Sequence, residues 1–161
     1  MTQTIVDPIA HLADWTRRLS GMFASDLKAL DEKTYNICPG GRARTVADIT
    51  AEVVGYNKMV AAILRGEQPQ QPTDEQRAAF VASMTTTDVC VNAILSSGSE
   101  LADAIAGSTM EGLSEKITMP WGEEMTKYAM AQLVSNHILY HDAQLNYIQS
   151  LNGDDQMHWF E

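Results

Sequence analysis

Apolar positions recur at helical spacing along four long stretches of the chain. In the first, from about Asp7 to Leu30, Leu12, Thr16, Leu19, Phe23, Leu27 and Leu30 follow the 3.6-residue period. Asp7 suits an N-cap, and Pro8 sits just inside the start, where its missing N–H does no harm. The second, about Val46 to Leu64, lines up Ile49, Val53, Tyr56, Val60 and Ile63. Thr45 and Asp48 make an approximate capping box before it, and Gly66 suits a left-handed end. The third, about Asp88 to Ala106, presents Val91, Ile94, Leu95, Leu101 and Ile105. Ser96-Ser97-Gly98-Ser99 weakens its middle, with about 1 kcal/mol lost at the glycine, and a bend or break is expected there. The fourth, about Lys127 to Leu151, carries Met130, Val134, Ile138, Leu145 and Ile148 between a Thr126 cap and Asn152-Gly153. A shorter helix, about Asp74 to Met84, follows a polar, proline-bearing linker. No series of alternating strands competes with this pattern. Only Lys116 to Met125 suits a small two-stranded turn, around Pro120-Trp121-Gly122. The fold class is all-α.

Two polar intrusions break the apolar faces. His137 and His141 are four apart, so both rings project from one side of the fourth helix, inside its apolar stripe. Glu52 lies between Ile49 and Tyr56 on the inner face of the second helix, with Asn57 beside it. A carboxylate is almost never buried unpaired, and a buried imidazole needs a partner. A divalent cation shared by Glu52, His137 and His141 would satisfy all three, as carboxylate and imidazole ligands do in helix bundles. The alternative is a metal-free core in which Glu52 accepts hydrogen bonds from the histidines. An H-x3-H pair without the glutamate of a zinc-protease helix does not choose between them.

Composition narrows the class of partner. The chain has 161 residues, 45% hydrophobic and 20% charged, which suits one folded domain over residues 1–161. A net charge of −10 argues against nucleic acid or an anionic membrane as the main partner. Arg42 and Arg44 still make a small local basic patch. The adjacent Gly40 and Gly41 could offer backbone N–H groups to an anion. No phosphate-binding fingerprint accompanies them, so the segment reads as a turn. The longest purely apolar run, Met59 to Leu64, is too short to span a bilayer, and the N-terminus lacks the features of an export signal. Cys38 and Cys90 are therefore expected as thiols in the cytoplasm.

With these pieces placed, the chain resembles the DinB-like superfamily, which includes bacillithiol transferases and mycothiol-dependent maleylpyruvate isomerases. The resemblance rests on His137-x3-His141 followed by Asp142-Ala143-Gln144-Leu145-Asn146-Tyr147 and a closing Leu151-Asn152-Gly153. It rests also on Arg44-Thr45-Val46-Ala47-Asp48-Ile49 leading to Glu52. It implies an antiparallel four-helix bundle with a long crossover connection, and a divalent metal held by one side chain of the second helix and two of the fourth. The second-helix ligand of such proteins is usually His. Glu52 stands there here, which keeps a ligand but leaves Zn, Ni, Mn and Fe all open.

The expected activity is metal-dependent chemistry on a small molecule, as a thiol transferase or hydrolase, with a low-molecular-weight thiol as a candidate co-substrate. Tyr56, Asn57, Trp121 and Gln144 are the candidate pocket residues. The competing expectation is a non-catalytic stress-related binding or dimerisation module whose metal site is structural or vestigial. The aromatic tail, Trp159 and Phe160, is expected to dock on the helices or on a second subunit of a homodimer.

Overall fold

A computed structural model of the chain describes residues 6–119 and 122–159. Six α-helices and one two-stranded sheet lie within them. Helix α1 spans Pro8–Ala29, α2 Val46–Leu64, α3 Asp74–Ser83, α4 Thr87–Ala106, α5 Met110–Ser114 and α6 Lys127–Leu151. Strands β1 (Lys116–Thr118) and β2 (Glu124–Thr126) pair antiparallel, with Ile117 opposite Met125. The four long helices and the small sheet fall where the periodicity puts them. The 3-10 turn at Glu32–Thr34 and the short α5 are additions, because three to five residues are too few to show a period.

Capping residues set the ends. Asp7 accepts from the N–H groups of Ile9 and Ala10 at the start of α1. Thr45 and Asp48 form a complete capping box at the start of α2, and Thr126 caps α6 by accepting from Ala129 N–H. The α2 box fixes where Glu52 emerges, two turns into the helix.

Helices α1 and α2 each pack against both α4 and α6. The core has two parts. One gathers Phe23, Leu27, Tyr35, Val53, Ile94, Ile138 and Leu145. The other gathers Leu12, Val60, Leu101, Ile105, Met130 and Val134. Along each long helix a small buried polar residue falls between the two sets: Thr16, Asn57, Ser97 and Ser135. They bond in pairs across the interior, Thr16 Oγ1 to Ser135 Oγ at 2.7 Å and Asn57 Nδ2 to Ser97 Oγ at 3.3 Å. Each pair satisfies donors that would otherwise be stranded without water, although Asn57 Oδ1 stays without a partner among the described residues.

Two expectations for α4 change. The helix runs unbroken through Gly98, and that glycine sits against Ser20 of α1, where no side chain would fit. Leu95 is not an inner residue; it is 42% exposed, while its neighbour Ile94 is fully buried.

Tyr35 is fully buried and closes one end of the core. Its hydroxyl donates to the Leu27 carbonyl at 2.6 Å and reaches Thr87 Oγ1 at 3.3 Å. Burial pushes its pKa up to about 12. Tyr35→Phe is expected to cost about 1 kcal/mol in urea unfolding, the net worth of a buried hydrogen bond. Both cysteines are free, Cys90 buried and Cys38 exposed. No single helix among the described residues is long and apolar enough to cross a membrane.

Candidate metal centre

Helix α6 carries His137 and His141 one turn apart, and α2 packs beside it with Glu52 facing them. Glu52 Oε1 lies 3.4 Å from His137 Nε2 and 3.4 Å from His141 Nε2, and the two Nε2 atoms are 3.0 Å apart. Among the described residues this is the one cluster of three or more His, Cys, Asp or Glu side chains close enough to share an ion. Exposure rises across it. The His141 side chain is 1% exposed, His137 19% and Glu52 32%.

The surroundings fix the chemical state of each group. Gln144 Oε1 is 2.9 Å from His141 Nδ1. A carbonyl oxygen only accepts, so Nδ1 carries the proton and the Nε2 lone pair faces Glu52. Gln144 lies on the same helix as His141, one turn on. Burial, the neighbouring His141 and the Arg44 guanidinium push the His137 pKa down to about 4. Burial and Arg44 also lower that of His141, against the opposing Gln144 bond. Both rings are therefore neutral at neutral pH. Arg44, just before the α2 cap, folds back to pair its Nη1 with Glu52 Oε2. The sequence motif contains this arginine, but no spacing rule showed that it returns to Glu52.

The other candidate residues divide. The Tyr56 ring lies 4.7 Å from that of His137, centre to centre. With Glu52 and Arg44 it lines a cavity of about 760 Å³ between α2, the proline-bearing linker and α3. Asn57 is fully buried toward Ser97 on α4 and lines neither this cavity nor the one beside α6. Trp121 and Phe160 lie outside the described residues. Trp159 docks as expected of the tail: its indole N–H donates to Asp26 Oδ2 at 2.9 Å.

That contact exposes a buried carboxylate pair. Asp26 of α1 and Asp142 of α6 are both at most 1% exposed, and Asn146 Nδ2 also donates to Asp26 Oδ2. Asp142, next to His141 in sequence, is therefore buried in the core. It follows Ile138 by four residues, a spacing that already placed it inward. Burial, then repulsion by Asp26, pushes its pKa up to about 8. The pH dependence follows in sign. His137 has its pKa lowered on folding from 6.5 to about 4, so its contribution is complete above 6.5 and lost as pH falls toward 4. Asp142 is raised from 3.8 to about 8, so its contribution is complete below 3.8 and lost as pH rises through 8. Between 4 and 6.5 the two trends oppose each other. Above 6.5 only the Asp142 trend remains, so the metal-free protein should lose stability toward pH 8. Chemical denaturation across that range should show the loss in the wild type and a flatter profile for Asp142→Asn.

No family model and no curated protein matches the chain. Solved structures do. The mycothiol-dependent maleylpyruvate isomerase matches with a TM-score of 0.67 and 18% identity over 86% of this chain. A histidine-to-alanine mutant of that isomerase matches at 0.70 and 16%, also over 86%. A conserved protein from Enterococcus faecalis matches at 0.71 and 13%, over 88% of this chain and 94% of its own. The chain has the DinB-like fold. At these identities the DinB-like likeness is one of fold. The chain spans 61% of the length of the isomerase it matches.

Proposed function

We propose that the chain is a single-domain metalloprotein of DinB-like fold, with α1, α2, α4 and α6 as an antiparallel four-helix bundle and the α2-to-α4 connection as its long crossover. Glu52, His137 and His141 hold one divalent cation, and a small molecule reacts beside it. The observation that carries this reading is the spacing of the three donor atoms. Ligands bonded at 2.0–2.2 Å to one ion stand about 3.0 Å apart along an octahedral edge and about 3.4 Å apart along a tetrahedral one. The separations here are 3.0, 3.4 and 3.4 Å. Two neutral imidazoles and a carboxylate form a donor set for Zn, Ni, Mn or Fe.

A divalent cation held there supplies Lewis acidity, which lowers the pKa of a bound water or thiol toward neutrality. The side chains around it do the positioning. Gln144 keeps His141 in the tautomer that binds, and Arg44 holds Glu52 by its outer oxygen. Tyr56 packs beside His137 and walls the cavity through which a substrate reaches the centre. Metal sites of this kind depend on such supporting bonds. The isomerase of similar fold is mycothiol-dependent by name. That favours a low-molecular-weight thiol as co-substrate and an electrophile as its target. Protein purified without an affinity tag should retain about one equivalent of divalent metal by elemental analysis. Failure to take up any of the four metals after reloading would leave the hydrogen-bonded, metal-free cluster as the correct description.

A further inference from the structure

The loop before α2 meets the outer face of α6 across a second cavity of about 730 Å³. Arg42 and Arg44 line one side; Tyr140, Tyr147, Ile148 and Leu151 line the other. The charge of this cavity runs against that of the chain. Acidic residues outnumber basic ones 21 to 11 overall, yet the lining includes two arginines and no Asp or Glu. No carboxylate pairs with Arg42 among the described residues. Arg44 uses Nη1 on Glu52, and a guanidinium has five N–H donors, so further donors remain for a ligand. The loop is braced rather than loose: Ala43 N–H donates to the Gly40 carbonyl at 3.0 Å, and Cys38 Sγ reaches the Ala43 carbonyl at 3.1 Å. Across from the arginines, Tyr140 and Tyr147 are 60% and 65% exposed, so their rings are open to a ligand.

Guanidinium groups match a carboxylate by geometry as well as charge, and exposed aromatic rings accept an apolar body. A bare inorganic anion would leave the tyrosine wall unused. A long polyanion would exceed the cavity and meet the repulsion of a net charge of −10. We propose that this cavity binds a small organic carboxylate, with its charged end on Arg42 and Arg44 and its apolar body on Tyr140 and Tyr147. Gln144, which holds His141, lines the same cavity, so the ligand lies against a residue that orients the metal centre. The site stands by itself as a binding site, apart from the entrance beside Tyr56 through which the function proposed above brings a substrate to the centre.

Benzoate, benzamide and inorganic phosphate are the probes, each titrated into the full ¹⁵N-labelled chain by NMR. Benzoate should shift the Nε–H signals of Arg42 and Arg44 and the backbone amides of residues 140–151 in a saturable way. Benzamide and phosphate should each bind at least about tenfold more weakly, and Arg42→Gln should weaken benzoate about tenfold. Equal binding of benzamide would make this an uncharged groove and overturn the proposal. Equal or tighter binding of phosphate would make it an inorganic anion site, with the same effect. No saturable shift with benzoate would also overturn it. A zinc titration of the same sample separates the two readings. Benzoate binding without zinc binding removes the metal centre and keeps the carboxylate site; the reverse result does the opposite.

Discussion

His141→Ala is expected to abolish stoichiometric metal binding while leaving a folded helical protein. The wild type, stripped and titrated calorimetrically with zinc, should bind about one equivalent. At a hundredfold excess of free zinc over its Kd, linkage stabilises the fold by about 2.7 kcal/mol. For a domain of this size that is a rise in Tm of roughly 5–11 °C. The variant should show no such rise. Gln144→Ala should fall between, because it removes only the bond that sets the His141 tautomer, and losses of that kind weaken metal binding by about 10–100-fold. The ordering of the two variants is the discriminating result. In a metal-free cluster both would change the resting stability, and zinc would move neither the wild type nor the variants.

The second large effect is on the fold. A Cβ built on Gly98 falls 2.5 Å from Ser20 Cβ and still closer to Ser20 Oγ, well inside contact distance. Ser20 is itself held, because its hydroxyl donates to the Thr16 carbonyl at 2.9 Å. Helix propensity alone favours Gly98→Ala by roughly 1 kcal/mol. Packing should reverse that sign: an overpacked contact between α1 and α4 costing about 3 kcal/mol leaves a net loss of about 2 kcal/mol. Urea unfolding should show it. Adding Ser20→Gly to Gly98→Ala should recover much of the loss, because the second change removes the atoms the new methyl meets. Recovery in the double variant ties the effect to this one contact.

Gly98 also shows where the sequence stopped being legible. Periodicity read it as a weak point within one helix, because a one-dimensional pattern contains no partner helix. The bounds of α2 and α6 were readable to the residue. Their caps are local chemistry, with Thr45 and Asp48 at one helix and Thr126 at the other. The convergence of Glu52 with His137 and His141 was readable for a related reason, since a polar group on an apolar face asks for a partner. Leu95 was misread because Ile94 beside it fits the stripe equally well, and only packing decides between neighbours. Arg44 on Glu52, and Asp26 beside Asp142, depend on how a loop folds back or which two helices touch. Neither relation leaves a periodic trace.

The gradient of exposure across Glu52, His137 and His141 makes the cluster one-sided. His141 is sealed by α6 and its neighbours, whereas Glu52 stands at the rim beside Tyr56 and Arg44. From that rim the carboxylate is met before the sealed imidazole. The linker and α3 build the wall on that side, and α3 has its main packing against α2 rather than against the histidine helix. Under the function proposed above, a scaffold of this shape would receive different reactants by altering its doorway alone.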